Sequence, residues 1–105
     1  MRLTLATTLV MQAIGGGHRH GFDIVDVTGY PTGTVYPALR RLEDAGYVAS
    51  HWESEHAAAR EGRPARRYYE LTAAGAKALD GALDTLQRLE AGRQALRRLS
   101  PRRAR

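Results

Sequence analysis

The chain has no cysteine among its 105 residues. Disulfides, thiolate zinc centres and a cysteine nucleophile are therefore excluded. It has no run of about 18 apolar residues, the length a helix needs to cross a bilayer. Phosphate-binding glycine spacing is missing too: Gly15-Gly16-Gly17 lacks the G-x-G-x-x-G pattern and has no preceding strand. Ser50, Ser54 and Ser100 stand in no nucleophile-elbow or S-x-x-K context. No carboxylate pair suggests acid–base catalysis. The expectation is a protein that is not an enzyme and carries no cofactor. The four histidines include no i, i+4 pair on a helix: His18 and His20 are two apart, and His51 and His56 are distant in sequence. No metal site is expected, and a histidine-based metal sensor stands only as an alternative. The N-terminal stretch has one arginine, a short apolar segment and no small-x-small cleavage pattern. Thr4, Thr7, Thr8 and Gln12 interrupt that segment, which reads as a mature amphipathic helix of a cytoplasmic protein.

What is present is an ordinary share of apolar residues, 43%, with an excess of base: 16 Lys and Arg against 11 Asp and Glu, a net charge of +5. The length suits one compact domain, and the charge points to an anionic partner.

Along the chain, residues 3–14 repeat apolar side chains at helical spacing, with Leu5, Leu9 and Ile14 near one face, and the glycine run ends the helix. Residues 20–28 form a short second helix with Phe22, Ile24 and Val25 on its buried side and Gly29 as a left-handed cap. In residues 31–46, Val35, Ala38, Leu39, Leu42 and Ala45 make a core-facing stripe. Thr32 or Thr34 can cap that helix. Pro37 is tolerated in a first turn, which predicts a start close to Thr34. Residues 47–53 and 66–71 alternate as strands, with Val48, Ser50 and Trp52 on one face and Tyr69 and Leu71 on another. The polar segment 54–65 between them reads as a long mobile loop. A last helix spans 72–99, capped by Thr72. Leu79, Leu83, Leu86, Leu89 and Leu96 give it a stripe too long for so small a domain to cover, which calls for a symmetric partner. The tail 100–105 is basic.

Helix, helix, helix, strand, loop, strand, helix is the order of a winged helix-turn-helix. The predicted class is mainly α with a small β-hairpin: a DNA-binding unit over 1–75, and a dimerisation helix with basic tail over 76–105. The start of the third helix offers free N–H groups and a dipole to phosphate. Gly33 permits close backbone approach, Thr32, Thr34 and Tyr36 supply hydroxyls, and Arg40 and Arg41 supply charge that can fork onto guanine. Arg60, Arg63, Arg66 and Arg67 lie within eight residues. Arg63, between Gly62 and Pro64, is placed to enter a minor groove. Arg66 and Arg67 face opposite sides of a strand, so at most one of them reaches DNA easily, and Arg66 is counted with Arg63 among the DNA-binding candidates. The expected partners are double-stranded DNA and a second copy of the chain. A winged helix used for protein contact is the competing interpretation.

Several words in the sequence carry a family likeness. They are His20-Gly21-Phe22-Asp23-Ile24, the run from Gly33 to Glu43, Ala45-Gly46-Tyr47-Val48, Ser50-His51-Trp52-Glu53, and Gly62-Arg63-Pro64 leading to Arg67-Tyr68-Tyr69-Glu70-Leu71-Thr72 and Gly75. In these the chain resembles the PadR-type transcriptional regulators over about residues 3–95. The resemblance implies a repressor that binds operator DNA as a homodimer, through its last helix and the partner's first helix, and is released by a small molecule. It implies that Thr34, Tyr36 and Arg63 meet DNA, with Leu5 and Leu9 joining the last-helix leucines at the interface. It further implies structural roles for Trp52 and for Tyr68 or Tyr69.

Overall fold

The structure, a computed structural model, describes residues 1–99; the basic tail 100–105 lies outside the described residues. Five helices and one hairpin follow in order: α1 (Leu5–Gly15), α2 (Gly21–Thr28), α3 (Thr32–Asp44), β1 (Val48–Trp52), α4 (Glu55–Arg60), β2 (Arg67–Leu71) and α5 (Ala73–Leu99). The core joins Val10, Met11 and Ile14 of α1 to Ile24 of α2 and to Val35, Ala38, Leu39 and Leu42 of α3, closed by Val48, Tyr69 and Leu79. At about 25 cal/mol per Å² of apolar surface, these side chains carry most of the folding free energy. Truncating fully buried Leu42 to alanine costs about 2–5 kcal/mol.

The first helix buries Thr7 and Thr8 and leaves Leu5 exposed. The threonines were expected to interrupt the apolar stretch. They tolerate burial because both hydroxyls donate to the Thr4 carbonyl, at 3.0 and 2.8 Å, so no polar atom is left without a partner. The Thr4 hydroxyl also accepts from the Thr7 N–H, closing a reciprocal cap. In α2, Ile24 is buried as expected, but Phe22 is 68% exposed. Gly21, Ile24 and Val25, at i, i+3 and i+4, take the inward side, and Phe22 lies on the opposite side of the helix from Ile24. Gly29 ends α2 at φ 74°, the left-handed cap the sequence predicts.

The third helix starts at Thr32, not Thr34, with Pro31 as its cap residue and no side-chain cap. The Pro31 carbonyl accepts from both the Thr34 and Val35 N–H groups. Pro37 is thus inside the helix, one turn later than expected. Its missing N–H leaves the Gly33 carbonyl without an i+4 donor.

The strands pair antiparallel, with Val48 opposite Leu71, Ser50 opposite Tyr69 and Trp52 opposite Arg67. Directly opposed residues share a face, so Tyr69 and Leu71 lie on the same side as Val48, Ser50 and Trp52, not on another. The segment between the strands is not a long loop. Ser54 Oγ accepts from the Ala57 N–H at 3.1 Å, and Glu55 and three alanines carry a one-and-a-half-turn helix. Ala58, buried, anchors it.

The last helix is stitched on at its start. Thr72 Oγ accepts from the Gly75 N–H and donates to the Gly46 carbonyl. A Cβ at Gly75 would overlap the Tyr47 carbonyl, so only glycine lets α5 pass there. Leu79, assigned from the sequence to a dimer seam, is instead buried in the chain's own core, and Leu83 packs against that core. Further along, Leu86 is half-buried and Leu89 and Leu96 are exposed. No described helix is long and apolar enough to cross a membrane.

Candidate nucleic-acid interface

Helical spacing divides the residues expected on α3 into two rows. Gly33, Tyr36 and Arg40 follow at i, i+3 and i+7, and Thr34 and Arg41 follow at i and i+7 on the other flank. Arg40 and Arg41 are exposed, and neither forms an ion pair among the described residues. Thr32 and Gly33 are exposed at a start with no side-chain cap, and the Thr34 and Val35 N–H groups are taken by the Pro31 carbonyl. Thr34 is half-buried. Tyr36 is half-buried as well and leans on α2, where a Cβ at Gly21 would overlap its hydroxyl and come 2.6 Å from Cζ.

Tyr36, alone of its row, faces the hairpin. His20, Phe22, Tyr36, Trp52, Arg66 and Tyr69, with the Arg63-Pro64-Ala65 tip and Arg67, line one groove of about 510 Å³. Trp52 was expected to be structural, yet its ring is 66% exposed. It covers the Arg67 guanidinium, 5.8 Å from the ring centre, and stands open on its other face.

The wing arginines differ in their engagements. Arg67 donates to both Glu43 carboxylate oxygens at 3.1 and 3.2 Å and to Ser50 Oγ at 2.9 Å. Ser50 donates in turn to Glu43 at 2.7 Å. This network ties the hairpin base to the recognition helix. Arg63 does not project from the tip. It forks onto Glu53 at 2.6 and 3.0 Å and donates to the Pro64 carbonyl at 3.3 Å. The Glu53 carboxylate, ten residues back at the end of β1, draws it inward, and Gly62 at φ 68° makes the turn between them. The Arg63 fork and the Arg66 N–H hold the Glu53 carboxyl down at about 2, against burial. Arg66 is half-buried, and its side chain has no partner among the described residues.

His20 caps α2 with its backbone and sets its ring edge-on to Tyr68, with centroids 6.0 Å apart. Its pKa is lowered, first by burial and then by the nearby positive charge of Arg66 and Arg63, against the pull of Asp23 and Asp26. His18 meets Asp23 at 3.1 Å. Among the described residues no three His, Cys, Asp or Glu side chains cluster as a metal site. Sequence reasoning missed Glu43 and Glu53, the two carboxylates that organise the hairpin. Both pairings join residues far apart in sequence, 24 positions for Arg67 and Glu43 and 10 for Arg63 and Glu53, so helix and strand periodicity gave no signal for them.

The architecture recurs in solved proteins. A PadR family transcription regulator from Clostridium difficile superposes with a TM-score of 0.78 at 19% identity, covering 89% of this chain and 98% of that one. A PadR family regulator from Eggerthella lenta is 27% identical, with a TM-score of 0.68 over 85% of this chain and 80% of that one. BpsR of Bordetella bronchiseptica, whose DNA binding is regulated by 6-hydroxynicotinic acid, shares the fold with a TM-score of 0.73 at 20% identity, over 87% of this chain and 61% of that one. No curated protein sequence is similar enough to match. The PadR-like transcriptional regulator family pattern matches residues 10–81, and with that match over most of its length the chain belongs to the PadR-like family of transcriptional regulators.

Proposed function

We propose that the chain is a repressor that binds operator DNA as a homodimer. Residues 1–75 form the DNA-binding unit, and 76–105 the dimerisation helix and tail. The observation that carries this is the groove shared by Tyr36 of the recognition helix and the arginines of the wing: cationic and hydroxyl groups from two elements converge on one side. Thr32, Gly33, Thr34, Tyr36, Arg40 and Arg41 supply the contacts of the helix.

Pairing is supported by a second groove of about 440 Å³, lined by Leu3 and Leu5 of the N-terminal segment and by Leu86 and Leu89 of α5. Exposed Leu89 and Leu96 extend its apolar surface along α5. A partner helix of the same kind covers this surface in a two-fold dimer. Leu9 lies half-buried on the same helix as Leu5. Release by a small molecule draws support from the aromatic-walled groove under the wing, whose occupant would compete with DNA. The tryptophan in its wall is the chain's only one, so quenching of its fluorescence reports an occupant directly.

The deciding experiment measures binding of a labelled duplex, taken from beside the coding region, across a salt series. A dimer neutralising about eight phosphates gives a slope of log affinity against log salt of about −7. A flat response would favour a protein-contact module. Leu89→Arg should yield monomers with affinity reduced on the order of a hundredfold, since each half-site then binds alone. A variant still sedimenting as a dimer would place the interface elsewhere.

A further inference from the structure

Glu53, the residue after β1, is the hub of the wing. Its Oε1 accepts from Arg63 at 2.6 Å and from the Arg66 backbone N–H at 3.2 Å, and its Oε2 accepts from Arg63 at 3.0 Å. The Glu53 backbone N–H donates to the Arg66 carbonyl at 2.8 Å. The two side chains are only 15% and 22% exposed, so the pair is shielded and geometrically fixed, as a two-pronged arginine–carboxylate contact is. The neighbouring cation, Arg67, is taken by Glu43 and Ser50. Arg66 lies between these two engaged arginines. Its backbone is pinned on both N–H and C=O by Glu53, and its guanidinium makes no hydrogen bond or ion pair among the described residues.

Sending Arg63 into a DNA groove would break its fork and leave the Glu53 carboxylate unpaired beside phosphates. That is costly twice over, through the lost contact and through like-charge repulsion. A contact by Arg66 breaks nothing. We infer that Glu53 and Arg63 are positioning residues that hold the wing rigid, and that Arg66 is the cation the wing presents to DNA. This rests on the DNA-binding function proposed above.

The test separates contact from positioning by salt dependence. Each phosphate neutralised adds about 0.9 to the slope of log affinity against log salt. With a fluorescently labelled mixed-sequence duplex, Arg66→Gln should flatten the slope by about 1.8 per dimer. Arg63→Gln and Glu53→Gln should weaken binding several-fold with the slope unchanged. The Glu53→Gln/Arg63→Gln double variant should bind no more weakly than Arg63→Gln alone. Without DNA, hydrogen exchange at the Arg66 amide should quicken at least tenfold in Glu53→Gln and in Arg63→Gln. A slope flattened by Arg63→Gln and untouched by Arg66→Gln would reverse the assignment, and unchanged exchange would remove the positioning role. A wild-type chain indifferent to duplexes at low salt would defeat the regulator function and Arg66's contact together. The exchange rates would still decide whether Glu53 holds the wing.

Discussion

The two ends of the candidate interface are built on opposite plans. The α3 side is open: the helix start has no side-chain cap, Thr32 and Gly33 are exposed, and Arg40 and Arg41 stand in solvent without carboxylate partners among the described residues. The wing is closed. Glu53 and Glu43 take two of its arginines and leave Arg66 between them. A helix holds its own backbone geometry through internal hydrogen bonds, so its surface charges need no scaffold. A two-stranded hairpin is marginal by itself, and here side-chain ion pairs supply the rigidity its short ladder lacks. On the proposed function the helix keeps its arginines for the ligand, whereas the wing engages two of its four, Arg63 and Arg67, within itself.

The largest effect should come from the open end. Arg40 shares the row that runs through Tyr36 to the groove, whereas Arg41 lies with Thr34 on the other flank. Arg40→Gln should lower duplex affinity by on the order of tenfold per protomer and flatten the salt slope by about 1.8 per dimer. Arg41→Gln should do about half as much, with melting temperatures unchanged in both. Equal losses from the two variants, measured by anisotropy, would mean that the helix lies in the groove along its axis and not on one row.

Next is the joint where the open end meets its support. Tyr36 rests on Gly21 so closely that a methyl group there overlaps the phenol. Gly21→Ala should swing the ring toward the groove and weaken binding several-fold. Its stability cost should be at most about 1–3 kcal/mol, since the tip of a side chain can yield where backbone cannot. Gly75→Ala provides the contrast, because there a methyl group meets the Tyr47 carbonyl. Unfolding of Gly21→Ala in thermal melts would show Tyr36 to be core and not interface.

These contrasts also mark how far the sequence could be read. The outer face of α3 was legible, because helix periodicity and an apolar stripe at Val35, Ala38, Leu39 and Leu42 fix which residues are left outside, but its start was not: Pro31 takes the cap position expected of a threonine. The hairpin strands and the Gly29 cap were legible for the same local reasons. The closed end was not. Whether Arg63 reaches out or folds back depends on Glu53, ten residues away across a turn, and periodicity carries no information about such a pairing. Phe22 and Leu79 were misplaced likewise: apolar character marks a residue as fit for burial, and tertiary packing decides which ones receive it. The threonines of α1 erred in the other direction, their hydroxyls satisfied by the preceding turn. The six-residue α4 was written in Ser54 and the alanines, and was obscured by the charged residues around them.

Acid should open the closed end before it touches the open one. Glu53 has its pKa depressed from 4.5 to about 2. Its contribution to the wing is therefore fully present above about pH 4.5 and is lost as pH falls through about 2. Proteolysis within 54–66, followed by mass spectrometry, should be constant from neutral pH to about 4.5 and should rise below it. In Glu53→Gln it should be raised and flat throughout. A steep rise already near pH 6 would assign the opening to histidine.

The smallest expected effect falls on the histidine that faces both regions from the groove wall. His20 is held below its usual pKa of 6.5, first by burial and then by Arg66 and Arg63, with Asp23 and Asp26 opposing. Because the folded chain takes up this proton later than the unfolded chain, its share of stability is complete above 6.5 and shrinks as pH falls from there toward the folded value. Melting temperatures should thus drop by a few degrees on mild acidification, and less in His20→Gln. DNA affinity should move the other way, since phosphates near the groove favour imidazolium and a protonated His20 adds a charge beside Arg66. Opposite signs for stability and affinity, both diminished in His20→Gln, would place His20 at the ligand face. Parallel signs would leave it a packing residue.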